Sequence, residues 1–259
     1  MPTQQEITDS HSLIVDVFKE FRPELMQAYG NIAHAAKGDE SPVTQLDVKL
    51  EIALKNRLLS RFPGFGFKGE ETEEVAGHYD ATWFVDPIDS TSSFIHGLPY
   101  CSNMAGLVIA GEVVASVIYH FASDDLYTAF RGQGAYKNGK KISVNDAALS
   151  DSYVFSDAYS YKNIYQFYAP SKVKFFAPLG ATGYFLTRVA QGSIQGVCYL
   201  KAHIKQHDVV PGILLALEAG AEAVSFTEQP FDHTCLRFMI GTTSICDLTR
   251  RYKNEIITA

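Results

Sequence analysis

The spacing of apolar residues changes period once along this chain, and that change limits the folds open to it. Before position 63 the period is helical: Ile14, Val17, Phe18, Phe21 and Leu25 recur at helical spacing, and Leu50, Leu54 and Leu58 follow at steps of four. Pro23 is expected to kink or interrupt the first helix. Pro63-Gly64 stops the second, on whose exposed side Glu51 and Lys55 are expected to pair. Residues 34–45, polar and carrying Lys37, Gly38, Asp39, Glu40 and Pro42, read as a mobile loop.

From Phe65 the apolar runs shorten to strands. Phe65-Gly66-Phe67 leads to Gly69-Glu70-Glu71, and Trp83-Phe84-Val85 leads to Asp86. Residues 104–109 and 113–119 flank Ala110-Gly111-Glu112, and residues 126–130 and 134–144 contain Asn138-Gly139; these are two hairpin signals in succession, hence antiparallel sheet. After residues 173–176 come a helix over 182–191, a strand through 197–200 and a helix over 208–219. That last helix is expected to have Asp208 as N-cap, Pro211 in its first turn and Gly220 at its end. Strands near Val224 and Phe238 and a helix from Ser244 complete the chain. This order predicts an α/β (α+β) fold, a layered sandwich of helices and sheets rather than a barrel. Residues 1–145 would form an N-terminal half, and residues 146–259 a C-terminal half that contributes Asp208, the two packed as one unit with the active site where they meet.

A chain of 259 residues can bury nearly three quarters of its extended surface, so its core needs no disulfide or structural metal. Cys101, Cys198, Cys235 and Cys246 are scattered without metal-type spacing and read as buried thiols. The net charge of -7, with no basic run longer than Arg250-Arg251, disfavours nucleic acid. If the substrate is an anion, something other than side-chain charge must supply the positive potential, and a metal cluster is the obvious candidate. No apolar run approaches the roughly 20 residues of a membrane span, and Gln4, Gln5, Glu6 and Asp9 stand where a secretion signal would be basic and then apolar. A cytoplasmic location is the expectation.

The chemistry is concentrated in three acidic segments. In Asp86-Pro87-Ile88-Asp89-Ser90-Thr91, Pro87 removes a donor and fixes φ, so two carboxylates three residues apart can converge while the Ile88 carbonyl faces the same way. If a helix or turn begins at Ser90, its free N–H groups offer a phosphate site beside those carboxylates. Oxygen ligands beside an anion pocket suit Mg²⁺ rather than zinc. Taken singly, Asp86-Pro87 also reads as a turn, Gly69-Glu70-Glu71 as an exposed acidic turn, and Asp208 as a helix cap. Together they place each carboxylate at the end of a strand or the start of a helix, where ligands are held rigidly.

With those segments the chain resembles the inositol monophosphatase family of magnesium-dependent, lithium-sensitive phosphatases. The likeness also covers Ser41-Pro42-Val43-Thr44 with Asp47, Phe94-Ile95-His96-Gly97-Leu98-Pro99, Ala177-Pro178, Ala181-Thr182-Gly183, His207-Asp208 and Glu218-Ala219-Gly220. The resemblance implies a layered α-β-α-β-α sandwich of the sugar-phosphatase type and a homodimer. It implies one Mg²⁺ on Glu70, Asp86 and the Ile88 carbonyl, a second on Asp86, Asp89 and Asp208, and a weaker third reached by Glu70. Thr91, hydrogen-bonded to Asp47, would orient the attacking water and help accept its proton, so that Glu70, Thr91 and Asp47 form the catalytic group. The Ser90 and Thr91 amides would hold phosphate, and Gly183 and Lys201 would face substrate. The implied reaction is hydrolysis of inositol monophosphate or a sugar phosphate by water. The alternatives are fructose 1,6-bisphosphate, 3′-phosphoadenosine 5′-phosphate, histidinol phosphate, and a metal-binding homologue that acts through protein contacts.

Three positions depart from the family pattern. Ser90 replaces a glycine and is expected in the right-handed region, since only its amide is needed. His207 replaces a tryptophan and reads as a partly exposed histidine rather than a ligand. Where the family often has a glutamate before the metal aspartate, the corresponding stretch reads Tyr199-Leu200-Lys201-Ala202-His203-Ile204-Lys205, which aligns only with a gap; a basic Lys201 near the polyol site would favour a substrate with a second anionic group, and a solvated surface lysine is the alternative. Elsewhere, Gly132-Gln133-Gly134-Ala135 lacks the βαβ setting of a nucleotide loop, and Ser92, Ser93 and His96 lack a nucleophile elbow. Tyr159, Tyr161, Tyr165, Phe167 and Tyr168 read as packing or a subunit contact.

Overall fold

The computed structural model describes residues 1–38, 42–176, 181–200 and 204–258. Two long helices open the chain. α1 (Gln4–Ala28) is closed at its start by a reciprocal Thr3–Glu6 capping box and runs unbroken through Pro23. The expected interruption is absent because a proline this near the C-terminal end removes a single backbone donor from a helix already several turns long. After β1 (His34–Ala36) and β2 (Pro42–Thr44), α2 (Gln45–Arg61) buries Leu46, Leu50, Leu54 and Leu58. The segment expected as a loop is therefore in part an antiparallel pair, with His34 opposite Thr44. Its second strand feeds α2 directly, because the N-cap Thr44 must itself be extended.

The strands β3 (Gly66–Lys68), β4 (Ala81–Asp89), β5 (Ser102–Ile109), β6 (Glu112–His120), β7 (Asp125–Phe130), β8 (Gly134–Lys137) and β9 (Lys140–Ile142) form one sheet in chain order. β3 and β4 are parallel and every later pair is antiparallel. Asn138 and Gly139 both have positive φ, as the predicted hairpin turn requires. The short helix α3 (Thr91–Ile95) leaves the end of β4.

In the second half, β10 (Tyr153–Ser156), β11 (Lys174–Phe176), β12 (Gly196–Tyr199), β13 (Glu222–Ser225) and β14 (Phe238–Gly241) form a sheet of order β11-β10-β12-β14-β13. It is parallel on the β11-β10-β12 side and antiparallel beyond. Its helices are α4 (Ala158–Tyr168), α5 (Thr182–Ala190), α6 (Gln206–Glu218), α7 (Thr243–Arg251) and α8 (Lys253–Thr258).

Burial sorts these elements into five layers. Apolar residues of α1 and α2, among them Ile14, Phe18, Leu50 and Leu54, pack on one face of the larger sheet with Trp83 and Val117. On its other face Met104, Ile118 and Tyr127 meet Val210 and Leu214 of α6. α5 and α6 turn their remaining apolar residues, including Phe185 and Ile213, to Phe155, Val197 and Ile240 of the smaller sheet. That sheet's outer face is covered by Ile164, Tyr168, Ile245 and Ile256 of α4, α7 and α8. The α-β-α-β-α order is thus the fold, and the central helical layer carries Asp208 against the larger sheet. Tyr161 and Tyr165 pack on Phe175, and buried Tyr168 hydrogen-bonds Thr249, which is the packing role expected of the aromatic run. All four cysteines are free and buried.

Two details of α6 differ from expectation. Its N-cap is Lys205, and Asp208 is the third helical residue, accepting the Lys205 N–H at 2.5 Å. Pro211 is consequently the sixth residue, in the second turn. A carboxylate at the third position caps as well as one at the N-cap, so the residue types alone do not set the start of the helix.

Candidate active site

Four segments converge at the C-terminal end of β4: α2, β4 itself, the turn after β3, and α6. From α2, Asp47 is buried; one carboxylate oxygen accepts the Thr44 N–H at 2.8 Å and the Thr44 hydroxyl at 2.5 Å, and the other lies 3.0 Å from the Thr91 hydroxyl. The Thr91 oxygen is also 3.1 Å from the Ile88 carbonyl. Burial outweighs these hydrogen bonds and raises the Asp47 carboxyl above its ordinary pKa.

From β4, Asp86 and Asp89 are 2% and 4% exposed. The pairing of β4 with β5 breaks register between them, next to Pro87, which has no backbone N–H to donate, and Asn103 donates to the Pro87 carbonyl at 2.6 Å. Asp89 Oδ2 accepts the Tyr184 N–H at 3.1 Å and the Ser102 hydroxyl at 3.4 Å. Asp86 Oδ1 is buried with no hydrogen-bond partner. Gly183, which the resemblance places at the substrate, has a packing reason to be glycine. A Cβ there would lie 1.7 Å from Met104 Sδ and 3.2 Å from Asp89 Oδ2, and would push α5 off Asp89.

Ser90 corrects an expectation. Its φ of 63° and ψ of 58° are left-handed, not right-handed. The chain must leave β4 and enter α3 in one residue, and that corner demands the αL conformation the family supplies with glycine. A side chain there costs roughly 1–2 kcal/mol, and the Ser90–Ser93 hydroxyl contact at 2.8 Å recovers part of it. Ser90→Gly is expected to raise stability by about 1 kcal/mol, a midpoint shift of about 2–4 °C for a chain of this size, measurable by thermal melting; an unchanged or lower midpoint would contradict the strain.

From the turn after β3, Glu70 and Glu71 share Lys37, whose ammonium lies 2.7 Å from one and 2.6 Å from the other. Burial pushes Glu71 up to about 6 against that pairing. Glu51, expected to pair with Lys55 in solvent, is instead buried beneath this turn and accepts its backbone N–H groups. Neither Lys37 nor Glu51 was legible as a site residue, since both meet the turn through tertiary packing. From α6, Asp208 lies 3.4 Å from His207 Nε2. His207 is 6% exposed, not partly exposed as expected, and burial lowers it to about 4, so the contact is not an ion pair. Lys201, Ser41, Ala177 and Pro178 fall outside the described residues.

The carboxylates act on one another. Burial first, and then the negative charges around them, raises Asp86 well above the ordinary range, Asp89 to about 8 and Asp208 to about 7; Glu70 is among the charges acting on all three. Among the described residues, no three His, Cys, Asp or Glu side chains close around one point as a finished cation cage. Glu70 is turned to Lys37, and like charges repel. The donors nonetheless fit a hard divalent cation: the set is all oxygen, buried, and includes one carboxylate oxygen with no partner.

The raised carboxyls give a stability test. With folded values above the unfolded one, the native state keeps protons that the unfolded chain has lost, so stability falls as pH rises toward 8. His207 and His11, both lowered to about 4 by burial, act mainly below the usual histidine range. Chelator-treated protein should therefore melt about 3 °C or more lower at pH 8 than at pH 6.5, and saturating Mg²⁺ should abolish the difference. Equal midpoints in chelator would contradict the buried charge cluster.

The five layers and the buried acidic cluster at the end of β4 define a protein of the sugar-phosphatase class. The chain belongs to the inositol monophosphatase family, whose model matches residues 7–258. It is 32% identical over 199 residues to an inositol-1-monophosphatase of Rhizobium meliloti (strain 1021), covering 73% of this chain and 74% of that protein. It is 30% identical over 206 residues to a fructose-1,6-bisphosphatase/inositol-1-monophosphatase of Aquifex aeolicus, covering 75% and 76%. The crystal structure of the extragenic suppressor protein suhB from Bartonella henselae superposes with a TM-score of 0.84 at 26% identity, over 96% of this chain and 98% of that one.

Proposed function

We propose that the chain is a Mg²⁺-dependent phosphomonoesterase acting on a small phosphorylated polyol, inositol monophosphate or a sugar phosphate, by direct attack of water. The observation that carries this is the buried, partnerless Asp86 oxygen beside Asp89, in a carboxylate group that also feels Glu70 and Asp208. Glu70, Asp86 and the Ile88 carbonyl would hold one ion; Asp86, Asp89 and Asp208 a second; Glu70 would reach a third. Such ions supply water acidified toward neutral pH and charge to stabilise the leaving oxygen.

The chain's own groups would do the rest. Asp47 takes the Thr91 hydroxyl proton in a hydrogen bond, which leaves the Thr91 oxygen to accept from water, and its raised pKa makes Asp47 a better proton acceptor. The Ser90 and Thr91 amides, at the N-cap and first residue of α3 where no intrahelical acceptor exists, would hold phosphate in line. Lys37 holds one Glu70 oxygen, Oε1, so the other would be the one to meet an ion unless Lys37 swings away.

Among the described residues no helix is long and apolar enough to cross a membrane. Cytoplasmic location and a homodimer are part of the proposal. The test is phosphate release with and without Mg²⁺ over inositol phosphates, sugar mono- and bisphosphates, 3′-phosphoadenosine 5′-phosphate and histidinol phosphate. The expected result is Mg²⁺-dependent release greatest on a polyol phosphate, with bisphosphates favoured if Lys201 reaches the polyol pocket. Binding of Mg²⁺ without release from any member would overturn the enzymatic reading in favour of a homologue that acts through protein contacts.

A further inference from the structure

The Glu51 carboxylate is fully buried on α2 and is spent on the backbone of the Glu70 turn. One oxygen accepts the N–H groups of Glu70 at 2.9 Å and Glu71 at 3.0 Å; the other accepts that of Thr72 at 2.7 Å. Bonds from a carboxylate to amides are roughly twice as strong as neutral ones, and three of them hold consecutive residues of one turn. The turn is pressed onto this carboxylate: a Cβ at Gly69 would lie 2.1 Å from Glu51 Oε1, so only glycine permits the approach.

Glu51 lies one helical turn beyond Asp47, on the same face of α2. Asp47 fixes the Thr91 hydroxyl and Glu51 fixes the backbone that presents Glu70. A single rigid helix thereby sets the separation of two groups that arrive from different strands, β4 and β3. We propose that Glu51 is a positioning residue for Glu70, so that α2 holds Glu70 and the Thr91 hydroxyl at a fixed distance from each other. The proposal rests on the phosphatase reading above and adds to it a residue with no direct contact to the reaction.

The test compares Glu51→Gln and Gly69→Ala in the full-length protein. Glutamine keeps the shape but replaces one acceptor with an NH₂ group that faces a backbone N–H, so at least one bond is lost. Gly69→Ala displaces the same carboxylate from the turn side and leaves α2 untouched, which keeps the test open if Glu51→Gln does not fold. Both variants should lose amide-exchange protection at residues 70–72 by about tenfold while α2 stays protected. Both should bind Mg²⁺, measured by calorimetry without substrate, about 10- to 100-fold more weakly, as expected when a partner of a ligand-bearing segment is removed. Both should lower kcat by about 10- to 100-fold with KM within threefold. The double variant should be no worse than the more impaired single, because both changes break one contact. Unchanged protection at 70–72, kcat within threefold of wild type, or multiplied losses in the double variant would overturn the role. If wild type releases no phosphate from any substrate, the phosphatase reading fails by itself, and exchange and Mg²⁺ binding still decide on Glu51.

Discussion

Asp89→Asn is expected to lower kcat by about 10³-fold, about 4 kcal/mol of transition-state stabilisation, while the metal-free protein becomes more stable. The two effects have one cause. Asp89 is a buried carboxylate lifted to about 8 by desolvation and then by the charge of Asp208, so folding without a cation gathers charges that repel. Asparagine keeps an oxygen for the Tyr184 N–H, which reaches Asp89 at 3.1 Å, and removes the charge. The repulsion disappears, and with it the affinity for the second ion. Steady-state phosphate release and chelator-treated melting curves check the two halves. Activity within tenfold of wild type, or a lower metal-free midpoint, would contradict the ligand assignment.

Thr91→Val should lower kcat by about 10²- to 10³-fold with little change in KM, the range usual for a positioned proton-handling group. Valine preserves the branched shape and the backbone amide, so the proposed phosphate hold survives. It removes the hydroxyl that lies 3.0 Å from Asp47 and 3.1 Å from the Ile88 carbonyl. A buried Asp47 oxygen then loses a donor, which should destabilise the fold by about 1–3 kcal/mol. Thr91→Ser retains the hydroxyl and should recover most of the activity. Kinetics of the two variants separate a proton-handling role from a packing role: if serine fails and valine succeeds, the hydroxyl is not what matters.

What could be read from the sequence was whatever local pattern controls. The leucines of α2, the hairpin turn at Asn138-Gly139 and the strand leading into Asp86-Pro87-Ile88-Asp89 all follow from spacing and turn chemistry, and each has its expected place. A layered sandwich followed from the order of helices and strands, and its five layers from the family resemblance. What escaped was decided by contacts distant in the chain. Ser90 is left-handed because the corner between β4 and α3 requires it, and nothing in a serine announces that. Glu51 sits among lysines and leucines at a position that reads as solvent-facing, yet the turn at 69–72 folds over it. Lys37 finds Glu70 and Glu71 from more than 30 residues away. His207, at the start of a helix, is buried by the layers that meet there. Buried polar residues of this kind are paired by tertiary structure, and single-chain periodicity carries no record of the partner.

Carboxylates from three separated segments are proposed to gather divalent cations beside the end of β4. Anomalous diffraction from crystals soaked in Mn²⁺ measures this directly. Anomalous peaks are expected within about 2–2.5 Å of carboxylate oxygens, with Asp86 shared between two ions, Glu70 on one side and Asp89 with Asp208 on the other. Manganese bound only at surface carboxylates, with none at Asp86, would contradict it.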